Sequence, residues 1–135
     1  MARHLILHTT IQQIPQLAEF VEAVCEEKEL PLPEVMSLNL ALEEAVTNVI
    51  LYAYPDGTDG LVDIEATVRE NSLEFVVSDN GKPFDPTAAP EADVTLGFED
   101  RQIGGLGIFL VRKIMDTVEY RYENGKNILT MIKNI

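Results

Sequence analysis

Residues 33–54, PEVMSLNLALEEAVTNVILYAY, decide how the rest of the chain is read. Apolar residues recur at Leu38, Leu42, Ala45, Val46, Val49 and Ala53, which is helical and not strand spacing. Pro33 suits the first turn of a helix, and Pro55-Asp56-Gly57 supplies the turn chemistry that stops one. The stretch therefore predicts one long helix. Glu43, Glu44 and Asn48 are set among its apolar positions. Glu44 and Asn48 are four apart, so they lie one above the other on the same face. Such a pair can offer a carboxylate acceptor and a neutral oxygen ligand to one bound group. Taken alone, it is also what the solvated edge of any amphipathic helix shows.

Working outward, the 135 residues are enough for one domain with a proper core. No apolar run reaches the length of a membrane span, and MARHLILH does not read as a secretory signal. Cys25 is the single cysteine, so an internal disulfide is excluded and a reducing, cytoplasmic setting is expected. Its place on an apolar stripe points to packing. The formal charge of −13 argues against a nucleic-acid partner, because phosphate backbones need clustered Lys and Arg. It does not exclude a small anionic ligand, which amides and a divalent cation can hold inside an acidic protein.

Before the central helix, residues 4–8 read as a short strand with Leu5 and Leu7 on one face. Ile11, Ile14, Leu17, Ala18, Val21, Val24 and Cys25 give an amphipathic helix. Its start is either a Thr10/Gln13 capping box or a first turn at Pro15. After the central helix, Val62, Ile64, Ala66 and Val68 alternate with polar residues, marking a half-buried strand. Leu73, Phe75 and Val77 form its hairpin partner. Residues 87–103 show no periodicity, and a loop that long inside a domain is expected to be a functional lid or a disordered excursion. Gly104-Gly105-Leu106-Gly107 opens an apolar helix over residues 108–115, expected to be mostly buried. Val118, Tyr120 and Tyr122 alternate in another strand, Asn124-Gly125 signals a hairpin, and residues 127–133 close the sheet. The order β-α-α-β-β-loop-α-β-β predicts an α+β fold with helices on one face of a mostly antiparallel sheet.

Two further stretches carry chemistry. Asp79 stands at a strand end followed by Asn80-Gly81-Lys82-Pro83-Phe84-Asp85-Pro86, dense turn chemistry where sites on sheets tend to sit. It is either a turn-former or a carboxylate accepting a hydrogen bond from a ligand amine, with Gly81 letting a base lie close. The glycine-rich turn before the 108–115 helix offers positive φ and free amides suited to phosphate oxygens, though such turns also serve geometry alone. It is not a P-loop, because GxxxxGK[ST] is missing.

In this order, EAVTN (Glu44 to Asn48), DNGKPFDP (Asp79 to Pro86) and GGLGIFLV (Gly104 to Val111) resemble the three nucleotide-binding boxes of the GHKL ATPase superfamily. The likeness covers nearly the whole chain and is nearest to the small anti-sigma-factor serine kinases of bacteria. It implies the two-layer Bergerat sandwich that binds ATP. By the same resemblance Asn48 would ligate Mg²⁺, Asp79 would read adenine beside Gly81, and Gly105, Leu106 and Gly107 would approach the phosphates. Residues 87–103 would be the ATP lid. Glu44 would be the general base that deprotonates a serine hydroxyl on a partner protein.

The sequence departs from the family where related kinases often carry an arginine just before the glycines; Arg101 in the lid is the candidate to reach the γ-phosphate. No histidine stands in a phospho-acceptor context and no dimerisation helix comes before the domain, which argues against a sensor histidine kinase. The resemblance thus implies a Mg²⁺-ATP-dependent serine kinase that binds a sigma factor or similar regulator and phosphorylates a STAS-type antagonist, with a homodimer through the sheet or N-terminal region. The alternatives are a non-catalytic module whose partner binding is gated by ATP, and a plain interaction domain.

Overall fold

The computed structural model describes residues 2–9, 14–54, 60–88 and 108–135. Its elements are β1 (Ala2–His8), α1 (Ile14–Glu26), α2 (Leu32–Asn48), a π-helical turn (Val49–Ala53), β2 (Leu61–Val68), β3 (Ser72–Asp79), a 3₁₀ turn (Pro86–Ala88), α3 (Phe109–Ile114), β4 (Thr117–Glu123) and β5 (Lys126–Asn134). The five strands form one sheet in the order β1-β2-β3-β5-β4, and every neighbouring pair is antiparallel. This is the expected α+β, two-layer arrangement.

Alternation along the strands builds the interface between the layers. Val62, Ile64 and Ala66 of β2, Leu73, Phe75 and Val77 of β3, and Leu129 and Met131 of β5 are all buried. They meet Leu17, Val21 and Val24 of α1, Leu38, Leu42, Ala45 and Val46 of α2, and Val111 of α3 in one core cluster. α2 packs between α1 and α3 and is the central helix of its layer. Cys25 is buried in this core, and desolvation pushes its thiol up to about 11, as a packing residue requires.

Three local features refine the sequence reading. Pro15 is the second residue of α1, which favours the later of the two expected starts; Thr10 and Gln13 lie outside the described residues. The central helix is α-helical only to Asn48, and its last turn, Val49–Ala53, widens to π geometry. Such bulges concentrate at functional sites. The helix over 108–115 is not mostly buried as expected. Ile108, Val111 and Met115 face the core, but Phe109 and Leu110 are 38% and 37% exposed. A helix of six residues laid against α2 and β4 turns only one narrow stripe inward.

The β4–β5 turn is as expected. Asn124 and Gly125 have φ of 53° and 76°, the pair of left-handed residues that a two-residue hairpin turn demands.

Candidate functional site

Asp79 continues the inward-facing series Leu73, Phe75, Val77, so it is a carboxylate in phase with the core and is only 4% exposed. A buried carboxylate must be hydrogen-bonded. Its Oδ1 accepts from the backbone N–H of Gly81 at 2.8 Å and from Asn127 Nδ2 at 3.0 Å. Burial pushes the Asp79 carboxyl above its ordinary value, and those two donors pull it back.

The π-helical turn holds the loop after Asp79. Ala53 O accepts from Lys82 N at 2.8 Å, and the Tyr54 hydroxyl accepts from Asn80 N at 3.1 Å. Tyr52 stacks on Phe84 with ring centroids 4.8 Å apart. Gly81 is required by this contact: a Cβ there would lie 2.5 Å from Ala53 O and 2.9 Å from Ala53 Cβ. The close approach made possible by Gly81 is thus to the end of the central helix.

A narrow cleft opens above these groups, lined by Ala45, Asn48, Val49 and Ala53 on one side and by Val77, Asp79, Phe84, Pro86, Tyr120, Asn127 and Leu129 on the other. It is an apolar slot with a few convergent polar groups, the usual form of a small-molecule site. A larger groove lies between Pro33, Ser37, Lys113 and Lys133, and none of the candidate site residues lines it.

Asn48 is 2% exposed and belongs to the wall of the cleft. Among the described residues, only three buried side-chain atoms have no hydrogen-bond partner: Asn39 Oδ1, Glu44 Oε1 and Asn48 Oδ1. All three belong to α2, and Glu44 and Asn48 share one flank of it, one turn apart. Buried polar atoms are normally paired, and exceptions call for a ligand or a chemical role. Asn48 Oδ1, a buried neutral oxygen with no partner among the described residues, is the kind of donor that a hard divalent cation takes. The residues fit Mg²⁺ in this respect.

Glu44 reaches the beginning of α3. Desolvation pushes its carboxyl from 4.5 up to about 7, while hydrogen bonds from the backbone of Val111 and Leu110 draw it down. The carboxylate is therefore poised near neutrality, where a general acid or base is most effective.

The structure thus brings Asn48, Asp79 and Gly81 to one end of the sheet, while Glu44, one turn before Asn48 on α2, faces the start of α3. Arg101, Gly105, Leu106 and Gly107 lie outside the described residues, as does most of the expected lid, residues 89–103. Asn127 was missed in the sequence. The signal was present: Asn127, Leu129 and Met131 alternate, so an amide sits in phase with the buried face. It lies directly opposite Asp79 in the β3–β5 register.

Comparison with known proteins agrees with this geometry. Residues 7–133 match the family described as Histidine kinase-like ATPase domain. The chain is 35% identical over 99 residues to the serine-protein kinase RsbW of Listeria monocytogenes serovar 1/2a, covering 70% of this chain and 63% of that protein. It is 28% identical over 95 residues to the serine/threonine-protein kinase BtrW of Bordetella bronchiseptica, covering 70% and 67% of the two chains. The match therefore spans just under two thirds of the Listeria relative's length. A crystal structure of the RsbU and RsbW domains of a Mycobacterium tuberculosis protein superposes with a TM-score of 0.69 at 13% identity, covering 98% of this chain and 32% of that one. At that identity the likeness speaks to the fold. With the matched family model covering nearly the whole sequence, this chain belongs to the histidine kinase-like ATPase family.

Proposed function

We propose that this chain is a Mg²⁺-ATP-dependent protein serine kinase of the anti-sigma type. It would hold a sigma factor or similar regulator and phosphorylate a STAS-type antagonist in a partner-switching pathway. The observation that carries this reading is the pair of buried oxygens one turn apart on α2, Glu44 Oε1 and Asn48 Oδ1, which have no partner among the described residues, with Asn48 lining the cleft reached by Asp79. The relatives named as serine kinases, RsbW and BtrW, support it.

Each residue has a task that its surroundings suit. Asp79, fixed through Oδ1, accepts a hydrogen bond from the exocyclic amine of adenine at its other oxygen. Asn48 offers Oδ1 to the metal. When bound, the metal would neutralise the triphosphate and favour charge development at the transferred group. Gly105, Leu106 and Gly107, which come just before α3 in the chain, would approach the phosphates, and Arg101 would reach the γ-phosphate. Glu44, poised at about 7, takes the proton of the serine hydroxyl as its oxygen bonds to the γ-phosphorus and ADP departs. Among the described residues, no helix is long and apolar enough to cross a membrane, and the buried Cys25 suits the reducing cytoplasm that we propose as its location.

Incubation with labelled ATP and the antagonist protein tests the reading. The expected product is phosphoserine on the antagonist, lost in Glu44→Ala; label persisting in that variant would remove Glu44 from the mechanism. A second reading is ATP-gated partner binding without transfer. It is favoured by the engagement of Glu44 with the Leu110 and Val111 backbone, which gives the carboxylate a purely structural task. Partner affinity that changes with ATP, with no label transferred over hours, would establish it.

A further inference from the structure

Asn127 makes four hydrogen bonds to three separate parts of the chain. Its Nδ2 donates to Asp79 Oδ1 at 3.0 Å and to Lys82 O at 3.0 Å. Its Oδ1 accepts from Phe84 N at 3.0 Å and from the Tyr120 hydroxyl at 2.6 Å. An amide has two donor hydrogens and two acceptor lone pairs, so this side chain is fully used. The environment also fixes which end is which. The nitrogen faces two acceptors and the oxygen faces the Phe84 N–H, and a flipped amide would set like against like at those three contacts, the Tyr120 hydroxyl alone being able to serve either way.

The consequence falls on Asp79. Among the described residues, both donors to the carboxylate, Gly81 N and Asn127 Nδ2, converge on Oδ1. Oδ2 is left as the oxygen for a ligand. The same amide ties the carboxylate to Lys82 and Phe84, so the loop that roofs the cleft and the group that reads the base are set by one residue. Asn127 is 5% exposed and lines the cleft itself.

We propose that Asn127 is the positioning residue for base recognition, holding Asp79 oriented with Oδ2 presented to the exocyclic amine of a purine. This rests on the reading of the cleft as an ATP site. A guanine would set a carbonyl oxygen against that carboxylate, so the arrangement selects adenine over guanine. Tyr120 acts through Asn127 by fixing its Oδ1.

Asn127→Asp isolates the role. The replacement is isosteric and still accepts from Phe84 N and Tyr120 Oη, but it sets a second carboxylate oxygen against Asp79. Two carboxylates in contact repel one another when both are ionised, so the pair takes up a proton as the pH falls. The other groups around Asp79 are Tyr54, Tyr120 and Lys126, with Asp85 facing Tyr120. Both tyrosines are pushed above 10.0, so neither hydroxyl titrates between pH 6 and 8.

The experiment is calorimetric titration of ATP and of GTP into wild type and Asn127→Asp at pH 8, 7 and 6. Hydrogen exchange at the Phe84 amide is followed alongside. The variant is expected to bind ATP roughly 30-fold more weakly at pH 8 and to recover to within about threefold at pH 6. Its preference for ATP over GTP should fall about tenfold, and the Phe84 amide should stay as protected as in wild type. Loss of protection together with uniformly weak binding would reduce Asn127 to a structural residue, and wild-type affinity with a flat pH profile would overturn the proposal. Should Asn127→Asp not fold, Tyr120→Phe decides: a threefold to fivefold loss of ATP affinity is expected, and unchanged affinity overturns it. Failure of wild type to bind ATP at any pH would instead sink the reading of the cleft, and this inference with it.

Discussion

The two walls of the cleft treat their buried polar groups in opposite ways. On the sheet side, every hydrogen-bonding position of Asn127 is filled, and Asp79 Oδ1 accepts two donors. On the helix side, Asn48 Oδ1 is buried with no partner among the described residues, as is Glu44 Oε1 one turn earlier on α2, outside the cleft lining. The sheet wall is finished before any ligand arrives, as a surface that reads the shape of a base must be. The helix wall is left incomplete, which costs stability; on the proposed function its oxygens are reserved for a cation and a proton. The difference separates recognition from chemistry within one small cleft.

The largest effect should come from breaking the helix wall at its charged end. Glu44→Ala is expected to slow phosphoryl transfer to the antagonist by about 10²–10⁴-fold while ATP affinity changes by less than about threefold. In wild type the transfer rate should rise with pH through about 7, as Glu44 ionises. Single-turnover assays across pH, with binding measured separately, check both statements.

The comparison itself is tested by matched amide deletions. Asn127→Ala leaves Asp79, Lys82 O, Phe84 N and the Tyr120 hydroxyl without their partner and should cost about 3 kcal/mol, roughly 10 °C in melting temperature. Asn48→Ala removes an oxygen that has no partner to lose, and should change the stability of the ligand-free protein by less than about 1 kcal/mol. Equal losses in thermal melts would erase the distinction between the walls.

Gly81→Ala probes the joint between them. Its Cβ would fall 2.5 Å from Ala53 O, so the loop or the π-helical turn must move, at ~1–3 kcal/mol. Denaturant unfolding measures the cost, and loss of the Tyr52–Phe84 stacking signal would show where the strain goes.

The smallest effect sharpens the electrostatics. Glu44 in the folded chain is raised from 4.5 to about 7 and holds its proton more tightly than in the unfolded chain. The stability this contributes is complete below about 4.5 and is lost as pH rises through about 7. Glu44→Gln keeps the neutral shape and removes that loss. It should exceed wild type by ~1 kcal/mol at pH 8, after discounting for the solvent exposure of the carboxylate, and match it at pH 4. Urea titrations at the two pH values check this.

Much of this architecture was legible in the sequence because its signals are periodic. The alternation through Val62–Val68 and Leu73–Val77, the 3.6-residue period of α2 and the Asn124-Gly125 turn each specify local geometry without help from distant residues. Glu44, Asn48 and Asp79 were found because they interrupt those patterns with polar groups. What escaped was set by tertiary contact. The π-helical turn follows from the way Ala53, Tyr52 and Tyr54 grip the loop at residues 80–84, which no local propensity encodes. Asn127 read only as the first residue of the closing strand until strand register placed it opposite Asp79. The outward position of Phe109 and Leu110 likewise depends on how short a helix α3 is and on which elements it meets.

The measurement that bears most directly on the account is calorimetric titration of ATP, with Mg²⁺ and with EDTA, into wild type and Asp79→Asn. The account predicts saturable binding to wild type, strengthened at least tenfold by Mg²⁺, and no detectable binding to a variant that remains folded. Equal binding to both proteins, or binding to wild type that ignores the metal, would contradict it.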